Sequence, residues 1–430
     1  MKKHKCLCRK SSCEKPGLPG DVGFFSDKTL QFVSDPLQFI ENTSEQLGSR
    51  VFVSRLATKQ CIVIADYKQL KQFLNSSQKH FRTGLSDFSE LFGDSITFAD
   101  EDTAVRLKKI LVPLFSQESI SSYHPALLEE LDLWSAQLNY DQSVNLYEEF
   151  KNISLAQNVR VFMGVNRSDD PELFNTIKEL TSVHWHGFVS LPTNYSIPFY
   201  GQGGYKRAME ARHKLLDIIK TQMISNSSTF YDKFLQSRDE ELLTDDVILD
   251  HMLLFSCALI PKAVGSVLTM FFETMDKWRH LLREDDTLEE GDLECVLLEV
   301  MRLYPPFIGN IKMAKQDTML GDYHCPAGTG VFYSFMGAMR DPAAFLYPDQ
   351  FLPNRWRQET AGLDSHLAWG GGVHSCVGRV MSWSSVTSIA KHVLSRYTVI
   401  KTSDNNNNTD IKHLPVLRPK TQSNFTLKLK

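Results

Sequence analysis

Apolar and polar positions change their period several times along this chain, and each change marks an element. Pro16-Gly17-Leu18-Pro19-Gly20 is a rigid, turn-rich opening, and the segment 36–47 behind it reads as a helix. Residues 50–56 and 60–65 then alternate or run apolar, which predicts a hairpin, and a helix over 67–74 follows. The stretch 100–116 starts on Asp100, Glu101 and Asp102 and predicts a helix with acids at its positive end. A loop through Leu191 and Pro192 leads into an amphipathic helix carrying Tyr205 to Arg212. Thr244, followed by Asp245 and Asp246, is a helix start, and the helix it opens should run into the 270s. This helix holds the longest apolar run, 251–272, which is interrupted by Pro261 and Lys262 and therefore reads as a buried core helix, not a membrane span. A helix over 293–304 ends at Pro305-Pro306. Strand candidates 311–314 and 330–335 flank a turn at 325–328, and a last helix runs from near Val377 to about Tyr397. After it, Asp404 to Thr409 with four consecutive asparagines predicts a loop, and a final strand ends near Leu429.

Composition narrows this picture without deciding it. The 430 residues are 42% hydrophobic and 23% charged, with a formal net charge of -4, so the balance asks for no nucleic-acid partner. Eight cysteines are spread through a long chain, which argues against a disulfide scaffold. Residues 1–15 are basic, with Cys6, Cys8 and Cys13 among lysines, and contain no apolar run of anchor length. They read as a flexible basic tail ahead of one domain over 16–430. A cytoplasmic protein and one in peripheral contact with a membrane both fit.

The chemistry concentrates in Trp369-Gly370-Gly371-Gly372-Val373-His374-Ser375-Cys376-Val377-Gly378-Arg379. Its glycines permit a loop that approaches a flat ligand, and a lone cysteine where a helix begins is a way to present a thiolate. A second signal is Glu299-x-x-Arg302 followed by Leu303-Tyr304-Pro305-Pro306. The two charges lie on one helix face about seventy residues before the cysteine loop.

Together these motifs resemble those of the cytochrome P450 family, and the resemblance extends over nearly the whole chain from about Pro16. It implies a mainly α fold, a single large helical domain with a small β-rich lobe, and haem b as the cofactor. Cys376 would then be the axial iron ligand, and Trp369, Gly372, His374 and Gly378 would belong to the haem loop, with Trp369 where the family usually has Phe. Glu299 and Arg302 would lock with Arg355 to support that loop without taking part in the chemistry. Lys108, Lys312 and His374 would form the cationic set around the haem propionates, although the family's aromatic or His partner is replaced by Ala104. Phe307, Ile308 and Gly309 would line the substrate side.

One departure bears on mechanism. The family's central helix usually carries an acid and an alcohol that deliver protons, and here those positions fall on Leu259 and Ile260, with no Asp or Glu anywhere in 251–272. Pro261 removes the N–H that would bond the Cys257 carbonyl and should kink the helix. No catalytic side chain is therefore assigned. The leading expectation is a monooxygenase acting on a lipophilic substrate such as a retinoid, sterol or fatty-acid derivative, with electrons from a reductase or ferredoxin. The alternatives are an isomerase or dehydratase of hydroperoxides or endoperoxides, which needs no reductase, and a haem protein that has lost turnover.

Overall fold

The computed structural model describes residues 17–138, 142–190, 196–197, 201–225, 228–237, 239, 241–258, 260–277, 291–357, 366–402 and 410–430. The basic segment 1–15, Leu191-Pro192, Leu259 and the asparagine run lie outside the described residues.

Side-chain caps set many of the helix boundaries. Asp35 accepts from the Gln38 N–H with Pro36 in the first turn of helix Pro36–Leu47, and Gly48 closes its end at φ 63°. Asp66 caps Tyr67–Asn75, Asp100 caps Glu101–Leu114 and Thr244 caps Asp245–Leu253, each accepting the N–H three residues on. Strands Val51–Leu56 and Lys59–Ile64 form the expected antiparallel hairpin. It forms the second and third strands of a six-stranded sheet that begins with Gly20–Asp21 at one edge and continues through Gly330–Ser334, Gly309–Ala314 and Phe81–Thr83 at the other. The two central strand candidates pair with each other, Val331 opposite Lys312.

Among the described residues the core falls into two large apolar clusters, a smaller one under the sheet and a group formed by Cys295, Leu298 and Trp356. One cluster gathers Phe52, Phe150, Phe271, Val300 and Tyr397, and the other Leu107, Phe115, Phe162, Phe230 and Phe255. The central helix passes through both. It runs as Asp245–Leu253, a π-helical segment Leu254–Ala258, and Ile260–Lys277. Its length and composition would suit a membrane span, but 88% of the apolar window is buried in the fold. It lies close against helix Leu146–Met163, since a Cβ at Gly265 would come within 3.3 Å of the Lys151 nitrogen and the Tyr147 carbonyl. The irregularity expected at Pro261 appears as the π segment just before it, the usual response of a helix that must absorb an extra residue.

Candidate active site

The scaffold under the cysteine loop is built on helix Asp292–Leu303. Glu299 and Arg302 have no solvent exposure and pair in bidentate fashion, both contacts at 2.9 Å. Arg302 then donates to the carbonyls of Met339 at 2.8 Å, Pro348 at 2.6 Å and Gln350 at 3.0 Å. Glu299 also accepts from the Leu352 N–H at 2.8 Å, Arg355 Nε at 3.1 Å and Trp356 Nε1 at 2.8 Å. Burial alone would raise its pKa, yet the Arg302 hydrogen bond and charge outweigh that and hold the carboxyl below its ordinary value. So complete a set of partners is what a buried ion pair requires. The sequence reading found Glu299, Arg302 and Arg355 but missed two members. One is Trp356, which directly follows Arg355, and the other is His366, whose Nε2 bonds the Leu298 carbonyl at 2.9 Å and whose ring packs 5.0 Å from that of Trp356.

From His366 the chain enters the loop. Leu367–Trp369 and Gly372–His374 are short 3-10 turns, and the Cys376 N–H donates to the Trp369 carbonyl at 2.8 Å, closing the loop on itself. The glycines prove to serve a neighbour more than a ligand. At Gly372, with φ +58°, a Cβ would lie 2.0 Å from the Leu74 carbonyl, and at Gly371 one would lie 3.1 Å from Leu74 Cβ. Helix Tyr67–Asn75 is thus seated directly on the loop, and no side chain fits between them. Gly378 differs, because a Cβ there would meet only Ser382 Oγ at 3.9 Å.

Two expectations about charge need correction. The following helix starts at Arg379, not near Val377, and the protein by itself does not favour the thiolate. Burial raises the Cys376 pKa, against the opposing pull of the Gly378 N–H, Lys108 and Arg379. Its side chain keeps an accessible face, but protein surrounds it at longer range, and that low-polarity surround prevails. A metal cation on the sulfur would deprotonate it outright. The second correction concerns His374. The structure does bring it together with Lys108 and Lys312, but burial and those two lysines push its pKa down to about 4, so it is a neutral imidazole at physiological pH. Lys312 is buried, with a pKa lowered to about 8 by desolvation, and forms no salt bridge among the described residues. Lys108 donates to Ser375 Oγ at 2.6 Å, a contact the sequence did not suggest, which ties helix Glu101–Leu114 to the loop.

These features fit haem. The Cys376 thiol keeps an open face, and among the described residues Gly378 has no neighbour that would explain a missing side chain and Trp369 Nε1 is buried without a hydrogen-bond partner. A buried lysine with no salt bridge suits the carboxylate edge of such a group.

The resemblance sets the central helix on the other side of the haem. Between Asp250 and Met275 its only partly accessible positions among the described residues are Ile260 and Ala263, three apart on one face, where the resemblance placed the alcohol. Ser256, in the π segment, is fully buried, and its hydroxyl has no partner among the described residues. Cys257 beside it is pushed up to about 11 by burial. Lys262 was read only as an interruption of the apolar run. It is 6% exposed, 3.4 Å from the Ala258 carbonyl and 4.6 Å from the centre of the Trp185 ring. Burial, with Lys151 adding repulsion, lowers its pKa to about 7.

The family model described as cytochrome P450 matches residues 293–427, which include both motifs. Cytochrome P450 26B1 of Danio rerio is 26% identical over 420 residues, covering 87% of this chain and 80% of its own length. Putative cytochrome P450 120 of a Synechocystis strain is 24% identical over 405 residues, covering 88% of this chain and 90% of its own. Among solved structures, retinoic acid bound cyanobacterial CYP120A1 superposes with a TM-score of 0.76 at 22% identity, over 94% of this chain and 96% of that one. The cytochrome P450DA heme domain gives 0.75 at 16% identity, over 96% and 97%. Site and comparisons agree on the cytochrome P450 fold, and over residues 293–427, which hold the buried ion pair and the cysteine loop, the chain matches the cytochrome P450 family, whose cofactor is haem with thiolate-ligated iron.

Proposed function

We propose that this protein is a monooxygenase that places one oxygen atom of dioxygen into a lipophilic substrate of the retinoid class, with Cys376 as the haem ligand. The observation that carries the assignment of the ligand is the closed loop that offers Cys376 above a fully satisfied buried scaffold, Glu299 and Arg302 with Arg355 and Trp356. Haem held through the Cys376 sulfur would supply the oxygen activation, since a thiolate ligand donates electron density to the iron. The chain's own residues hold and shield it. Lys312 and Lys108 supply positive charge for its carboxylates, Trp369 packs in the loop beside it, and the Glu299 scaffold keeps the sulfur in place.

The substrate class rests on the relatives, one of whose structures contains retinoic acid. A lipophilic pocket also suits the aromatic cluster of Phe88, Phe92, Trp185 and Phe188, in which Phe188 lies 5.1 to 5.8 Å from the other three rings. Ile260 has no exchangeable side-chain proton, so protons would have to come through ordered water or the substrate itself. A reductase or ferredoxin would supply electrons. Peroxide isomerisation draws no support from these relatives.

The deciding experiment is the absorption spectrum of dithionite-reduced protein under carbon monoxide, for wild type and Cys376→Ala. A red-shifted, thiolate-type Soret band that vanishes in the variant is expected, and an identical spectrum without Cys376 would overturn the ligand assignment. Adding retinoic acid to the oxidised protein should shift the Soret band to the high-spin position, whereas no shift at saturating ligand would remove the substrate class.

A further inference from the structure

Segment 89–98 has little regular structure beyond the short helix Ser89–Phe92, yet buried side chains of two helices bond its backbone. His184 of helix Pro171–Phe188 lies with Nε2 2.7 Å from the Leu91 carbonyl and donates to it. On helix Asp245–Leu253, Asp250 accepts the Asp94 N–H at 2.9 Å. The next residue, His251, accepts the Ile96 N–H on Nε2 at 3.1 Å and donates from Nδ1 to the Val247 carbonyl at 2.7 Å. Burial lowers the pKa of both histidines to about 4, so each keeps one donor and one acceptor nitrogen. Gly93, at φ +62°, brings the chain so near that a Cβ would lie 1.9 Å from Asp250 Oδ2. The same carboxylate pairs with Arg212 of helix Gly204–Ser225. One group thus ties both the segment and a second helix to the central helix.

We propose that Asp250 is a shared latch, so that segment 89–98 and helix Gly204–Ser225 release together and substrate enters only when one carboxylate lets go of both. If Arg212 withdraws, the carboxylate is left buried and uncompensated, and the water it then needs competes with the Asp94 N–H. The two bonds therefore fail as a unit. Their design differs from that of the Glu299 network. Arg212 Nε is buried without a partner among the described residues, and burial raises the Asp250 pKa against the pull of Arg212 and the Asp94 N–H. A pair so incompletely supplied is a weak source of stability, which suits a contact that must break. The segment carries Phe92, and helix Pro171–Phe188 carries Trp185 and Phe188 of the same aromatic cluster. That helix follows Gly204–Ser225 closely, since a Cβ at Gly187 would lie 2.4 Å from Ala208 Cβ. Control of entry rests on this cluster being the substrate pocket, as the proposed function has it, whereas the coupling itself does not.

The test is amide hydrogen exchange, read by mass spectrometry on peptides covering 93–98 of the full-length haem-loaded protein. In the wild type these amides should exchange slowly, as core amides do. Arg212→Met removes no atom bonded to the segment, yet it should speed their exchange at least about tenfold, and so should Asp250→Asn, which keeps the shape of the side chain. Association of retinoic acid, followed at the Soret band after rapid mixing, should quicken by a similar factor in both variants. 4-Phenylimidazole, which needs only the iron, serves as a second ligand, so a wrong substrate class is told apart from a wrong latch. The melting temperature and the carbon monoxide spectrum show that each variant is folded, and either variant alone suffices if the other is not. Fast exchange over 93–98 in the wild type overturns the proposal. So does unchanged exchange in Arg212→Met, or faster exchange with no change in the association of either ligand.

Discussion

The two sides of the haem site are built to opposite standards. Under the cysteine loop the carboxylate of Glu299 and the guanidinium of Arg302 are fully buried and bonded, and one side chain reaches three carbonyls of the 339–350 segment. On the central helix, which the resemblance sets across the site, the π segment holds a hydroxyl with no partner among the described residues and a thiol pushed up by burial, and Lys262, in the helix after it, has the Ala258 carbonyl at 3.4 Å and the Trp185 ring beside it. On the helix packed against it, Ser154 Oγ and Asn158 Nδ2 are also buried without partners among the described residues. The cysteine-loop scaffold is a finished network, where rigidity is the purpose. The central helix keeps unspent polar capacity, which suits a region where water and protons must pass.

The largest expected effect lies in the finished network. Glu299→Ala should cost about 3–5 kcal/mol, because it leaves the Arg302 charge buried and unpaired. Denaturant unfolding would measure it, and a loss under about 1 kcal/mol would show that the network is not what secures the loop. Next come two glycines of the same loop. Gly372→Ala should lower stability by about 2–4 kcal/mol through its backbone clash and positive φ, read as a fall in melting temperature. Gly378→Ala should leave the stability of the haem-free protein unchanged and reduce haem retention, read from the Soret to protein absorbance ratio. Equal behaviour of the two would erase the distinction between a glycine required by a neighbouring helix and one required by a ligand.

On the central helix, Lys262→Met should stabilise by roughly 1–2 kcal/mol at neutral pH, since a desolvated ammonium is removed and only its ring contact and one long hydrogen bond to the Ala258 carbonyl are lost. The folded protein holds the lysine near a pKa of about 7 against an ordinary 10.5, so between these values the unfolded chain binds more protons. Wild-type stability should therefore rise with pH above about 7, and the methionine variant should lose that slope. Urea unfolding at pH 7 and pH 9 decides it. The smallest effect belongs to Ser256→Ala, within about 1 kcal/mol of wild type, because no hydrogen bond to a described residue is lost.

The same contrast governs what could be read from the sequence. Glu299 and Arg302 share one helix turn and Cys376 sits in a glycine-rich loop, so their signals are local. Asp100 and Thr244 announce the helices they cap for the same reason, while Asp35 and Asp66 show as caps only in the structure. Trp356 and His366 reach the scaffold from 57 and 68 residues away, and no local pattern announces that. The role of Gly371 and Gly372 depends on where helix Tyr67–Asn75 settles. A lysine in an apolar run looks like a break until Trp185, from another helix, is seen over it. The charge of His374 was misread because proximity of two lysines, a tertiary fact, sets it.

The π segment Leu254–Ala258 has one more consequence. A π turn carries one residue more than the α turn it replaces, so everything after it is rotated by about 100° relative to everything before it. The two halves of the central helix are therefore keyed separately to their neighbours, like two combs joined out of phase. Deleting a single residue from the segment would bring the halves into step. Either Ile260 and Ala263 would swing away from the accessible face, or Ile248 and Met252 would leave their packing. Length at this one point is thus an inherited setting of aim, which no substitution of side chains alone could reproduce.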